Sequence, residues 1–188
     1  MKHYKYYPNF IEEDNINYLD ILLQEIKPTQ DYLNINGSII RESRLTSWQT
    51  DTNLSCSYGS KNMTAKPFTK TVKYFKEIIE SKLNIKLDSV LINYYQDGND
   101  HINYHSDEYN IHKNNDIIVV SFGDTRKFII RKKENHEERD IYYIKNGDMF
   151  HMFNQCQKLY DHSIRREKTP NKLLNGRISL SFRYLGGK

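Results

Sequence analysis

Residues 89–96, SVLINYYQ, mark a change in the character of the chain. This run is rich in β-branched and aromatic residues, and Asp97-Gly98 directly after it is a turn signal. Similar runs follow it to the end of the chain, separated by further turn signals. Short strands at such spacing predict a sandwich or barrel. The later runs are DIIVVSFG (116–123), RKFIIRKK (126–133), DIYYIK (140–145), GDMFHMF (147–153), LYDHSIR (159–165) and RISLSFRYL (177–185).

Two helices are predicted before this region. The first covers about residues 12–26 and ends before Pro28, and the second lies within residues 67–84, with Pro67 near its start. Residues 30–66, between them, are polar and show no clear period, so no regular structure is predicted there. We expect one domain over residues 1–188 that is mainly β with flanking helices (α+β). Its helical part is residues 1–86, packed on a β core of residues 87–188.

The composition is that of a globular protein. Charged residues make up 28% of the 188 residues and hydrophobic residues 37%, and no apolar run is long enough to span a bilayer. The N-terminal residues lack the apolar segment of a secretory signal. Cys56 and Cys156 are far apart and form no CxxC motif, which favours a reducing compartment. We therefore expect the protein in the nucleus or cytoplasm. We also expect it to be a monomer. Its net charge of +4 permits contact with nucleic acid without requiring it.

A candidate metal site begins with His105 and Asp107. In an extended strand, side chains two residues apart lie on one side of the sheet. A third ligand is required, and His151 and His162 both fall in predicted strands, so spacing alone leaves both open. Two histidines and one carboxylate are the ligand set of non-haem Fe(II) oxygenases, whereas a closed zinc site needs four ligands.

A candidate anion site lies in the last predicted strand, RISLSFR. Arg177 and Arg183 are six residues apart, so both side chains leave the same face of that strand. They share the face with Ser179 and Ser181. Because arginine binds carboxylates through paired hydrogen bonds, this face predicts a site for an anion with carboxylate groups.

Ordered blocks over most of the chain resemble the AlkB family of Fe(II)- and 2-oxoglutarate-dependent dioxygenases, in particular its nucleic-acid demethylases of the eukaryotic DNA-repair type. The first two blocks resemble the segment that closes over the nucleotide in that family. The resemblance implies a double-stranded β-helix core, a relative of the jelly roll. The blocks are RLTSWQTD (44–51), CSYG (56–59), PF (67–68), LINYYQDGNDHINYHSDE (91–108), IIVVSFGDTRKFIIRKK (117–133), GDMFHMFNQCQKLYDHSI (147–164) and GRISLSFR (176–183).

The resemblance also implies which residues form the active site. His105, Asp107 and His162 match the iron ligands of the family, and His151 does not. The other matching residues contact 2-oxoglutarate in the family. Among them, Arg177 matches the arginine that binds the distal carboxylate of 2-oxoglutarate. The implied cosubstrate residues are Asn93, Tyr95, Arg177, Ser179, Ser181 and Arg183.

The activity that the resemblance implies is oxidative demethylation of N-alkylated bases in DNA or RNA, such as 1-methyladenine and 3-methylcytosine. It consumes Fe(II)-bound 2-oxoglutarate and O₂ and releases succinate, CO₂ and formaldehyde. Because a stacked base cannot reach the iron, it must be flipped out or presented in a single strand. The same chemistry on a protein or a small molecule is an alternative, and a nucleic-acid-binding module without catalysis is a third possibility.

Candidate substrate contacts are Trp48, Tyr58 and Tyr109; for Trp48, the only tryptophan, stacking on a base is weighed against a place in the core. Family members of the repair type carry a carboxylate where this chain has Tyr109, and Glu108 precedes it, so the carboxylate is displaced by one position. Cationic residues in RKFIIRKK either meet phosphates, which would make affinity salt-dependent, or are solvated at the end of a strand. These are Arg126, Lys127, Arg131, Lys132 and Lys133.

Overall fold

The computed structural model describes residues 1–12, 15–52, 54–58, 61–107, 116–169 and 175–186, and for Ile35 and Tyr58 it describes the backbone only. The helices in these ranges are α1 (Tyr18–Ile26), α2 (Lys70–Leu83) and α3 (Cys156–Leu159). The strands are β1 (Tyr4–Tyr7), β2 (Thr29–Ile35), β3 (Ser38–Thr50), β4 (Cys56–Tyr58), β5 (Lys61–Met63), β6 (Ser89–Tyr95), β7 (Ile102–His105), β8 (Ile117–Gly123), β9 (Arg126–Lys132), β10 (Arg139–Ile144), β11 (Met149–Met152), β12 (Tyr160–Ile164) and β13 (Arg177–Arg183).

Two facing sheets dominate the structure. The large sheet has the strand order β1-β11-β8-β13-β6-β3-β2 and the small sheet has the order β10-β9-β12-β7. Neighbouring strands within both sheets are antiparallel, and β4 and β5 form a separate hairpin. The prediction of a mainly β fold is confirmed. No helix in the described ranges has the length and apolar character that crossing a bilayer requires.

The central strand β13 shows how alternation along a strand separates core from site. Ile178, Leu180 and Phe182 are fully buried and share a core cluster with residues of α1 and α2. Burying a side chain of this size stabilises the fold by about 1.5–3 kcal/mol. The intervening residues of β13 point to the other side of the sheet, where they line a cavity. The helices therefore cover one face of the large sheet and leave the opposite face to the site.

The helix boundaries follow local chemistry. The side chain of Asn17 accepts a hydrogen bond from the backbone N–H of Asp20, so α1 begins at Tyr18 and not at residue 12 as predicted. Lys27 closes the helix in the left-handed conformation. Helix α2 buries Val72, Phe75 and Ile79 on one face, as its period predicts.

The absence of regular structure predicted for residues 30–66 is wrong. This segment contains β2 to β5, and β3 extends the large sheet by pairing with β6, with Trp48 opposite Leu91. The signal was weak because the last part of β3 buries polar side chains, including Thr46 and Gln49, where a predictor expects apolar ones. Strand β1 and the short helix α3 were not predicted either.

The phosphate contact predicted for Arg126 is also wrong. Its side chain is fully buried, and its guanidinium donates hydrogen bonds to the carbonyl oxygens of Asp97 (3.1 Å), Asp100 (2.7 Å) and Arg165 (2.9 Å). Its Nε lies 3.3 Å from Oε1 of Glu167. Arg126 therefore joins the β6–β7 turn to the segment after β12.

Replacing Arg126 by methionine is expected to lower the free energy of unfolding by roughly 2–3 kcal/mol, because three carbonyl groups lose the buried guanidinium that donates to them. Chemical denaturation measures the change. The neighbouring Lys127→Met variant is the control, with an expected change of about 0.5 kcal/mol or less because Lys127 lies on the outer face of the small sheet. Equal stability of wild type and Arg126→Met would contradict this role.

Candidate active site

Three potential metal ligands meet at the edge of the small sheet. His105 at the end of β7 pairs directly with His162 of β12, and their ring centroids are 4.3 Å apart. Asp107 lies two residues beyond the end of β7. One ligand atom from each of the three residues lies within 4.8 Å of the others. The structure therefore brings together the three residues that match the iron ligands.

Hydrogen bonds orient the His105 side chain and fix the backbone of Asp107. Nδ1 of His105 donates to the carbonyl oxygen of Asn103 (2.8 Å), which leaves Nε2, 3.8 Å from Oδ1 of Asp107, free to bind a metal. The backbone N–H of Asp107 donates to Oε1 of Gln157 (2.9 Å). The ammonium group of Lys133 in turn donates to the backbone carbonyl oxygen of Gln157 (2.8 Å).

Gln157 and Lys133 are positioning residues that the sequence analysis missed in this role. Gln157 is nearly fully buried in α3, and Lys133 also donates to Oγ of Ser106 (2.8 Å). Together they fix the short segment that carries Asp107. Nothing in a single sequence marks a glutamine fifty positions away as the acceptor for this backbone N–H, so no sequence signal identifies it.

His162 is buried and its ring stacks on Phe128, with ring centroids 5.7 Å apart. Burial, reinforced by the neighbouring His105, lowers the pKa of His162 to about 3. The imidazole is therefore neutral, which is the form that binds a metal ion. Two histidines with one carboxylate fit Fe(II), because this set leaves coordination positions open for other ligands.

The cavity beside these ligands runs along the inner face of the large sheet. Its polar wall comes from β13 and β6, whose residues are paired in register: Arg177 lies opposite Tyr95, and Ser179 lies opposite Asn93. Its apolar wall comes from both sheets. The lining residues are Arg44, Leu91, Asn93, Tyr95, Ile102, His105, Asp107, Val119, Phe128, His162, Ile164, Arg177, Ser179, Ser181 and Arg183.

The two arginines of β13 hold unused hydrogen-bond donors inside the protein. Arg177 is 2% exposed, and its Nη2 donates to Oγ of Ser121 (2.7 Å), but its buried Nε and Nη1 have no hydrogen-bond partner. Arg183 likewise has unpartnered Nε and Nη2, and Nη2 lies 3.9 Å from Oδ2 of Asp107. Burial lowers the pKa of Arg177 to about 10, so its guanidinium is charged at neutral pH.

These donors indicate a dicarboxylate ligand. Buried donors and a buried charge without a partner are costly, and an anion with oxygen acceptors removes that cost. A compound with two carboxylates can bind a metal ion through one of them and a guanidinium through the other, and so interact with both ends of this cavity. The residues present therefore fit both Fe(II) and 2-oxoglutarate.

Trp48 does not reach this cavity. It is 1% exposed, packs with Met63 and Leu91, and donates from Nε1 to the carbonyl oxygen of Leu54 (2.8 Å). Its indole ring is a core side chain, and the predicted stacking on a base does not fit this position.

The other substrate-contact predictions have different outcomes. Glu108 and Tyr109 lie outside the described residues, as does the side chain of Tyr58. Among the cations predicted to meet phosphates, Lys132 pairs with Glu138. Arg131 lies on the outer face of the small sheet, with its guanidinium carbon 3.5 Å from the centre of the Tyr104 ring.

The family model of the 2OG-Fe(II) oxygenase superfamily matches residues 3–183. The chain belongs to this superfamily. Its members use Fe(II), 2-oxoglutarate and O₂. The observed ligand group and the unpartnered arginine donors are the features that such cofactors require.

Curated proteins that are similar to this chain include dioxygenases of the AlkB type. Uncharacterized protein R406 of Acanthamoeba polyphaga mimivirus is 37% identical over 98% of this chain and 95% of its own length. DNA oxidative demethylase ALKBH2 of Bos taurus is 26% identical over 88% of this chain and 64% of its own. Alpha-ketoglutarate-dependent dioxygenase alkB homolog 3 of Rattus norvegicus is 29% identical over 94% and 62%. The chain thus spans slightly less than two thirds of these two animal proteins.

A solved structure has a similar fold. The structure of OsALKBH1 superposes with a TM-score of 0.66 at 17% identity, covering 98% of this chain and 97% of that one. At this identity the likeness concerns the fold alone. It confirms the jelly-roll type of 2-oxoglutarate oxygenases that the family resemblance implied.

Proposed function

We propose that this protein is an oxidative demethylase of N-alkylated bases in DNA or RNA, with 1-methyladenine and 3-methylcytosine as the expected lesion types. The observation that carries the proposal is the convergence of His105, Asp107 and His162 beside the unpartnered donors of Arg177. The nucleic-acid part is supported by the relatives, which include a DNA oxidative demethylase of Bos taurus.

In this proposal, His105, Asp107 and His162 hold Fe(II), and a set of residues on β6 and β13 binds 2-oxoglutarate. When bound, the iron and 2-oxoglutarate supply the power to oxidise an N-methyl group with O₂, with succinate, CO₂ and formaldehyde as products. The cosubstrate residues are Asn93, Tyr95, Arg177, Ser179, Ser181 and Arg183.

The chain itself contributes placement and exclusion of water. The charged guanidinium of Arg177 fixes the distal carboxylate, and its contact with Ser121 keeps the side chain extended toward the cavity. Ile102, Phe128 and Ile164 form an apolar wall beside the ligands. This wall lowers the local dielectric constant, which strengthens the interaction of the arginines with an anion.

The substrate base must leave its stack to reach this cavity. A methyl group on a pairing atom weakens the base pair, so such a base costs less to extrude than a normal one. Tyr58, Glu108 and Tyr109 remain the proposed contacts to the base. The displaced carboxylate at Glu108 affects which lesion is preferred and leaves the iron chemistry unchanged.

Mass spectrometry of methylated oligonucleotides tests this function. The protein is incubated with Fe(II), ascorbate, 2-oxoglutarate and a panel containing 1-methyladenine or 3-methylcytosine in single-stranded DNA, double-stranded DNA and RNA. We expect at least one substrate to lose its methyl group, with formaldehyde and succinate released in equal amounts. Unmethylated oligonucleotides are the control. Succinate release that is independent of every methylated oligonucleotide, with no loss of methyl groups, would contradict the proposal.

A further inference from the structure

A cluster of charged side chains, all buried except Asp31, links the β4–β5 hairpin to the large sheet. Lys61, the first residue of β5, has a side chain that is only 9% exposed. Its ammonium group contacts the carboxylate of Asp31 on β2 and that of Glu42 on β3, the latter at 3.3 Å. It also donates to the hydroxyl group of Thr46. A lysine buried to this extent requires such partners, so the cluster is part of the folded structure.

The cluster continues from Lys61 to the cavity wall. The carboxylate of Glu42, 2% exposed, is shared: Oε2 faces Lys61, and Oε1 lies 2.9 Å from Nη2 of Arg44. Nε of Arg44 donates to Oδ1 of Asn93 (2.7 Å). Arg44 and Asn93 both line the cavity. An unbroken series of polar contacts therefore joins the hairpin to the proposed 2-oxoglutarate site.

We propose that Lys61 is a positioning residue for the dicarboxylate. It offsets part of the negative charge of Glu42, while Arg44, which contacts the same carboxylate, holds Asn93 in place and lines the cavity with its positive charge. This inference rests on the proposed assignment of the cavity to 2-oxoglutarate.

The charges of the cluster predict the direction in which loss of Lys61 changes the affinity for the anion. Lys61 and Arg44 carry two positive charges, and Glu42 and Asp31 carry two negative charges. Loss of the lysine charge leaves a net negative charge behind the wall of a pocket that must bind a dianion. It also leaves Arg44 as the only cation of the cluster beside the buried Glu42 carboxylate, so more of the positive charge of Arg44 is offset inside the cluster and less of it acts on the anion. Both effects weaken binding of the anion.

Direct binding of 2-oxoglutarate measures this effect without turnover. Calorimetric titration with Mn(II) in place of Fe(II) gives the dissociation constant for wild type, Lys61→Met, the double variant Glu42→Gln with Lys61→Met, and Lys66→Met. Lys66 is the matched control, because it is exposed and follows the same hairpin, so its removal changes the net charge equally. Thermal unfolding of each variant reports whether it is folded.

We expect Lys61→Met to bind 2-oxoglutarate about tenfold more weakly, in the range seen when a residue that supports a direct ligand is lost. Lys66→Met should stay within about twofold of wild type, since exposed charges are screened. The double variant should recover to within about threefold of wild type, because the cluster then carries no net negative charge. A purely structural role for Lys61 would also recover in the double variant, but it predicts that binding follows the unfolding temperature from variant to variant, whereas the charge effect weakens binding by Lys61→Met that is fully folded.

Unchanged binding by folded Lys61→Met, or a double variant no better than the single one, overturns the inference. If Lys61→Met does not fold, Glu42→Gln alone carries the test: it removes the negative charge, so binding at least as tight as wild type supports the inference and weaker binding overturns it. Wild type that does not bind 2-oxoglutarate also overturns it. Wild type that binds 2-oxoglutarate without demethylating any oligonucleotide contradicts the proposed demethylase function alone.

Discussion

The His105→Ala variant is expected to release succinate from 2-oxoglutarate at least about 100-fold more slowly than wild type in the presence of a methylated oligonucleotide. Loss of a residue that merely supports a metal ligand costs about 10–100-fold, and loss of a ligand should cost more. Nε2 of His105 is the atom that its hydrogen bond to Asn103 leaves free. The measurement is succinate release under saturating Fe(II) and 2-oxoglutarate, together with Mn(II) binding by the same variant.

His151→Ala is the matched control for this experiment. His151 is the histidine that sequence spacing could not separate from His162, and the structure places it on β11, where its Nε2 lies 2.8 Å from Oδ1 of Asp116. It does not line the cavity. We expect its removal to change turnover by less than about threefold, as for a residue without contact to the site. Full activity of His105→Ala combined with loss of activity in His151→Ala would refute the assigned ligand set.

Replacing Arg177 by methionine is expected to raise the dissociation constant for 2-oxoglutarate by roughly 10²–10³-fold. Truncating one partner of a buried, hydrogen-bonded charge pair costs about 2–5 kcal/mol, and each 1.4 kcal/mol is tenfold in affinity. Arg177 is the better buried of the two arginines, and its unpartnered donors have no other use in the described structure. Titration with 2-oxoglutarate in the presence of Mn(II) measures the effect.

Two further variants separate the effect of the planar donors of Arg177 from the effect of its charge. Arg177→Lys retains a positive charge without the planar pair of donors, so it should bind with intermediate affinity. Lys73→Met removes a positive charge from the exposed face of α2 and should leave affinity unchanged. If Arg177→Met bound 2-oxoglutarate as tightly as Lys73→Met, the distal carboxylate would not lie on this guanidinium.

The parts of the fold that local patterns predicted are those in which apolar residues alternate. Strands β6, β8 and β13 have continuous or alternating apolar residues, and they form the centre of the large sheet. Strand β3 escaped prediction because it buries threonine, serine and glutamine, and its stability depends on its pairing with β6. A pairing partner some forty residues away leaves no local signal.

The same distinction between local patterns and distant contacts applies to the candidate site. His105 and Asp107 lie two residues apart in the sequence, so spacing alone suggested that they act together. Spacing could not choose the third ligand, and the family resemblance was needed to select His162. The buried links of Gln157 and Lys61 stayed invisible because they depend on contacts between distant segments. Arg126 was misassigned for a related reason: a basic run looks solvent-exposed in sequence, whereas every second residue of β9 points inward.

A crystal structure of the protein with Mn(II) and 2-oxoglutarate tests the central claim most directly. The account predicts one metal ion roughly 2.0–2.2 Å from an imidazole nitrogen of His105, an imidazole nitrogen of His162 and a carboxylate oxygen of Asp107. It also predicts that the carboxylate of 2-oxoglutarate remote from the metal lies on the guanidinium of Arg177. A metal bound elsewhere, or an imidazole of His162 turned away from the other two ligands, would contradict it.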